Sequence, residues 1–209
     1  MTATATQPAV LGSATPLPTV VSRQVFRAVL DALARPGQPA RLPVGSGGAS
    51  AAGAPPAALL PLLALADLGT GIHVLDHPDA PTRWVDALAT ATSAPVVGPE
   101  RARLVGALRP ITPAEVGALQ RGSALAPEEA ALLTVAVTDL AGGPARWVLS
   151  GPGVPGRRAI SPSGVPAGFL AARAAAVHRY PTGIDVLLVA PDGRLLGLPR
   201  STSIEEESN

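Results

Sequence analysis

The chain has 209 residues, enough for one well-buried core, and a formal net charge of +1 with charges of both signs dispersed along it. With no basic patch, and with two Trp, one Tyr and two Phe scattered singly, it offers no platform for stacked bases, so neither nucleic acid nor an anionic membrane is implied as a partner. No apolar run reaches the ~20 residues of a membrane span, the N-terminus has no basic segment ahead of a long apolar stretch, and a cytoplasmic protein is expected.

Two residue types are missing. Without cysteine the chain has no disulfide, no thiolate metal site, no cysteine nucleophile and no iron–sulfur cluster held by itself. Without lysine it can form no Schiff base with pyridoxal phosphate and no lysine-dependent phosphate loop, so no cofactor of that kind is expected. All 16 basic residues are arginines, whose planar forks suit bidentate contact with phosphate or phosphonate oxygens and equally suit structural ion pairs.

In chain order, residues 1–20, rich in Thr, Ala and Pro, read as a flexible arm. The stretch SRQVFRAVLDALA from Ser22 to Ala34 spaces Val25, Phe26, Val29, Leu30 and Leu33 as an amphipathic helix, with Ser22 as N-cap and RPG as its end. A Gly-Ser-Ala-rich insertion over about 37–56 follows, and it lacks the preceding strand that a phosphate-cradling loop needs. A helix is expected at 57–66, a short strand at 72–75, a helix at 82–92, and extended chain at 94–97 and 103–108. Strands at 132–138 and 146–149, a helix around 167–179 and strands at 185–190 and 194–199 complete the series, with an acidic tail at 206–209. Strands interleaved with helices predict a single α/β domain over 21–205, with a mixed sheet of roughly seven strands flanked by helices.

The C-terminal stretch carries the candidate site. Pro181 disfavours helix at Tyr180, Thr182 and Gly183 turn the chain into IDVLLVA, and the Pro191–Gly193 turn makes a hairpin of the last strands. If Ala190 pairs with Arg194, outward counting sets Asp185 opposite Pro199 and beside Arg200, so these two side chains should meet at the open end of the hairpin. Asp185, Arg200 and the neighbouring His178 are the candidate substrate-binding residues. The competing reading makes the pair a partly exposed tie whose loss costs about 0–1 kcal/mol, and makes His178 a favourable partner of its helix C-terminus. His73 and His77 run from a strand into a turn, without the helical spacing that brings two imidazoles to one metal, and no metal is expected. Glu128 and Glu129 after Pro127 read as a helix start.

Five stretches, FRAVLDALARPGQ, LLALADLGTGIHV, GSALAPEEAALLTVAV, LSGPGV and YPTGIDVLLVAPDGRLLGLPRSTSIE, run collinearly from Phe26 to Glu205. Together they resemble the PhnH-type subunit family of the bacterial carbon–phosphorus lyase system. The resemblance implies a mixed-sheet α/β fold similar to the large domain of pyridoxal-phosphate-dependent transferases but without the cofactor, and a homodimer. It implies companion subunits PhnG, PhnI and PhnJ, and an assembly that converts an alkylphosphonate and ATP into a ribose 1-phosphonate 5-triphosphate with release of adenine. It carries no catalytic residue onto this chain. The alternative left open is a free-standing, non-catalytic anion-binding α/β domain.

Overall fold

The computed structural model describes residues 15–44, 55–80 and 82–207. The expected arm up to residue 14 and the Gly-Ser-Ala centre of the expected insertion, 45–54, lie outside the described residues. The first helix, α1, spans Thr19–Ala34 and starts after Pro18, whose carbonyl accepts from the Ser22 N–H; Ser22 is thus inside the helix and not its N-cap. The following elements are β1 (Ala40–Arg41), a 3-10 turn at Ala57–Leu59 running into α2 (Leu60–Leu65), β2 (Ile72–Leu75), α3 (Trp84–Thr92) and β3 (Leu104–Ala107). Next come α4 (Pro113–Ala118), a 3-10 turn at Pro127–Glu129, β4 (Leu132–Ala136), β5 (Arg146–Ser150), β6 (Arg158–Ile160) and α5 (Phe169–Val177). Three strands end the series: β7 (Asp185–Val189), β8 (Arg194–Leu198) and β9 (Ser203–Glu207).

The strands form two sheets and not one of seven. A mixed six-stranded sheet has the order β1-β8-β7-β4-β3-β2, in which β2, β3, β4 and β7 are parallel and β8 and β1 are antiparallel at one edge. The strand expected at 146–149 leaves that sheet and is the centre of a second, antiparallel one, β6-β5-β9. The separation follows from what β5 covers. Trp147 and Leu149 are buried against the large sheet's own core, with the Trp147 ring stacked 6.5 Å from that of Phe169, so the small sheet is a layer over the large one. Glu206 and Glu207, in the stretch expected as a tail, pair with Trp147 and Arg146 as the end of β9.

Both faces of the large sheet are covered, as a mostly parallel sheet requires. In β7, Val186 and Leu188 enter one apolar cluster with α4, α5 and β5, while Leu187 and Val189 enter the other with α1, α2 and α3. The buried stripe of α1 is Val25, Ala28, Val29 and Ala32, leaving Phe26 and Leu30 outside at 45% and 49% exposure. The shift toward alanine has a steric cause. Helix α1 approaches β8 so closely at Gly197 that a Cβ there would lie 2.3 Å from the Ala32 carbonyl oxygen, a gap that admits only small residues on both sides.

Candidate functional site

The C-terminal quarter builds the site from local rules. Helix α5 ends at Val177, and the chain reverses through a cis Tyr180–Pro181 bond and Gly183, whose φ of +146° is left to glycine. A side chain there would also press on Val177 Cα at 3.2 Å and Arg200 Cβ at 3.3 Å. The turn delivers the chain to Asp185 at the start of β7. At the far end of the strand the Ala190 N–H donates to the Arg194 carbonyl at 2.9 Å, and Gly193, at φ +82°, closes a three-residue loop with a glycine bulge. That closure fixes the register at Val189 opposite Leu195 and Val186 opposite Leu198, one step short of Asp185 and Pro199.

Asp185 and Arg200 therefore meet. Arg200 Nη2 donates to Asp185 Oδ2 at 2.6 Å, its Nε lies 3.2 Å from both carboxylate oxygens, and its backbone N–H donates to Oδ1 at 2.8 Å. The remaining Nη1 donates to the carbonyls of Pro127, at 2.8 Å, and Pro181, at 3.2 Å. One guanidinium thus ties the entry of β7, the 3-10 turn at Pro127 and the turn after α5. The side chains are only 15% and 23% exposed, so the pair is more sheltered than the partly exposed tie anticipated from the hairpin count. His178 is not brought into this cluster. It caps α5 with Nδ1 2.8 Å from the Ala175 carbonyl, and it is exposed.

Beside the tie lies a cleft of about 600 Å³ between α5 and the chain at 200–204, with Leu170, Val177 and Ile204 among its apolar walls and Tyr180 at its edge. Its wall includes Arg173, on the second turn of α5, which is 3% exposed. Arg173 Nη2 donates to the carbonyls of Leu198 at 3.4 Å, Pro199 at 2.6 Å and Thr202 at 3.1 Å, clasping the turn that follows β8. Its Nε has no acceptor, and neither does the hydroxyl of Thr202, which is 2% exposed. Burial pulls the Arg173 guanidinium down to about 10, opposed by the Asp185 charge, so it remains a cation at neutral pH.

Arg109 and Arg194, both partly sheltered, are spent on carboxylates. Arg109 donates to Glu115 at 2.6 Å, and Arg194 lies between Asp139 at 3.1 Å and Asp192 at 2.6 Å. Arg173, the most buried of these, instead holds three neutral carbonyls. Its position was marked in the sequence, since it shares with Phe169 and Val177 the i, i+4, i+8 stripe of a helix that turns that face inward. Thr202 carried no such signal, because its burial comes from the chain turning back under Arg173.

The two histidines of the IHVLDH stretch are not paired with each other by any hydrogen bond: His73 Nδ1 lies 3.0 Å from the Val97 carbonyl, while at His77 it is the backbone N–H that donates, to Asp76 Oδ1 at 2.8 Å. Among the described residues no group of three or more His, Cys, Asp or Glu side chains stands together as a metal site would need, and no helix is long and apolar enough to cross a membrane.

Two comparisons cover this architecture nearly end to end. The family model described as bacterial phosphonate metabolism protein (PhnH) matches residues 16–205. The alpha-D-ribose 1-methylphosphonate 5-triphosphate synthase subunit PhnH of Rhizobium meliloti (strain 1021) is 32% identical over 204 residues, covering 91% of this chain and 93% of that protein. The family match takes in β1 to β8, the first three residues of β9 and the cleft beside α5, and the chain belongs to the bacterial PhnH family of phosphonate metabolism proteins.

Proposed function

We propose that the chain works as a subunit of a ribose 1-methylphosphonate 5-triphosphate synthase, together with companion subunits of the PhnG, PhnI and PhnJ types, and that it has no turnover alone. The observation that carries this reading is the end-to-end match to a relative named as such a subunit. The composition is compatible with this reading: with no lysine and no cysteine the chain owns neither a Schiff-base former nor a cluster ligand set. The assembly acts on an alkylphosphonate and ATP, and a cytoplasmic location suits ATP as the co-substrate.

A homodimer is part of the same proposal, supported by Phe26 and Leu30, which α1 leaves exposed on its outer side. A likeness to the large domain of pyridoxal-phosphate-dependent transferases is in keeping with the mixed sheet covered on both faces. Affinity purification of the chain from its host, grown with a phosphonate as sole phosphorus source, tests the reading. Recovery with the three companions is expected. Recovery of the chain alone, with deletion leaving growth on phosphonate intact, would leave the free-standing anion-binding domain as the better account.

A further inference from the structure

We infer that the cleft between α5 and the chain at 200–204 is a binding site for a small oxyanion carrying a short apolar substituent, with Arg173 as its cation and Thr202 as its hydroxyl donor. The inference deepens the proposed function in one respect only: that reading selects alkylphosphonates from the class of such anions.

Arg109, Arg194 and Arg200 are each balanced by carboxylates within 3.2 Å. Arg173 is more buried than any of these, yet it meets only carbonyl oxygens, and the nearby carboxylate of Asp185 already accepts from Arg200 through both oxygens. A buried guanidinium that hydrogen-bonds only neutral carbonyls, and shares its nearest carboxylate with Arg200, is undercompensated, and an anion in the adjoining space completes it.

Three buried side-chain atoms among the described residues lack a partner, and two of them, Arg173 Nε and Thr202 Oγ1, belong to residues of this one wall. The two residues are joined directly, since Arg173 Nη2 donates to the Thr202 carbonyl at 3.1 Å. Buried polar atoms are rarely left unpaired; both atoms lie closed to solvent in the wall of the cleft, and an oxyanion that accepts from them enters with a local shift of the chain at 200–204.

Shape supplies the apolar part. The cleft, at about 600 Å³, has the size of a small-molecule site, and Leu170, Val177, Pro152 and Ile204 give it walls that a bare inorganic anion would leave uncovered. Arg200 also lines it, but its donors are committed to Asp185, Pro127 and Pro181, so it serves as wall and not as clamp.

The test is isothermal titration of the full-length chain with butylphosphonate, butyrate and inorganic phosphate. Because Arg173 also holds the turn after β8, the variants are chosen elsewhere. Thr202→Val removes a hydroxyl that has no partner to lose, and Ala174→Phe fills the cleft from an exposed position on α5; both are expected to melt with the wild type. Saturable binding of butylphosphonate, about tenfold weaker in either variant and much weaker for inorganic phosphate, is the expected result. Binding of butyrate but not butylphosphonate would uphold the site and detach it from the phosphonate reading, which co-purification tests separately. Binding that is absent for all three anions, or unchanged in both variants, overturns the inference; equal binding of phosphate and butylphosphonate overturns its apolar part.

Discussion

Replacing Arg200 by Ala removes the guanidinium that ties three segments, and the cost follows from the shelter of the pair. An exposed ion pair is worth about 0–1 kcal/mol, whereas breaking a buried one costs about 3–5 kcal/mol by leaving a charge behind. With side chains 15% and 23% exposed and a two-oxygen contact at 2.6–3.2 Å, the Asp185–Arg200 pair lies toward the buried end. The Pro127 and Pro181 carbonyls lose a charged donor as well, though water reaches this rim. Arg200→Ala is therefore expected to cost about 2–4 kcal/mol, a drop in melting temperature of roughly 5–12 °C for a chain of this size. Asp185→Asn should cost less, about 1–2 kcal/mol, because an amide oxygen still accepts the Arg200 backbone N–H and the guanidinium keeps its two carbonyls. The double variant should be more stable than the sum of the two losses implies, since each removal strands the other charge. Calorimetry on the four chains gives all three quantities. An Arg200→Ala chain that melts with the wild type would refute the tie, and if it also assembled normally yet failed to support growth on phosphonate, Arg200 would be a substrate ligand after all.

Three further outcomes are expected. Gly197→Ala puts a Cβ 2.3 Å from the Ala32 carbonyl oxygen and 2.8 Å from the Leu33 nitrogen, backbone atoms that cannot swing aside, so chemical denaturation should show a loss of about 2–3 kcal/mol. The Arg109 guanidinium, with the Thr112 N–H, holds the Glu115 carboxyl down at about 2; its stabilisation is fully present above the ordinary carboxylate range near 4.5 and is lost as pH falls toward 2. Glu115→Gln should cost about 1–2 kcal/mol at pH 7 once partial exposure is allowed for, and the gap from the wild type should close by pH 2–3; a constant gap would mean the carboxylate charge is not what stabilises. Light scattering of the chain at micromolar concentration should give the dimer mass, and Phe26→Glu with Leu30→Glu should give the monomer if α1 forms the contact.

Much of the fold was legible where a local rule dominated. The Pro191–Gly193 turn fixes a hairpin, and a hairpin fixes register by counting, so the meeting of Asp185 and Arg200 followed from the sequence alone. Long-range partition was not legible in this way. Whether RWVLS joins the parallel strands or starts a second sheet depends on what its Trp147 and Leu149 cover, which no window of sequence contains. Strand β9 was hidden for a related reason. SIEEE has the composition of a solvated tail, and it becomes a strand through the ladder to β5 and through Glu207 and Glu205, which meet Arg146 and Arg157 at 3.1 and 2.5 Å from far along the chain. Helix α4 was missed although ITPAE signals it: Thr112 and Glu115 exchange the bonds of a capping box around Pro113.

The candidate site divides along the same line. Arg200 was conspicuous because the hairpin count and the PRST ending both point to it, yet the feature that makes it conspicuous also supplies its carboxylate partner and uses its donors within the protein. Arg173 stands on the inward stripe of its helix, but a long cation among alanines reads as a solubilising residue that snorkels to water, so its burial did not follow from its position. The structure denies it that route. Helix α5 packs Phe169 and Ala176 into the core on the same side, the chain after β8 folds over the guanidinium, and the cation is left with carbonyls, an unspent N–H and an apolar cleft. An exposed arginine is explained by solvent and a paired one by its carboxylate. A buried arginine with neither is best explained by something that binds it, and the cleft beside Arg173 is where that binding is to be measured.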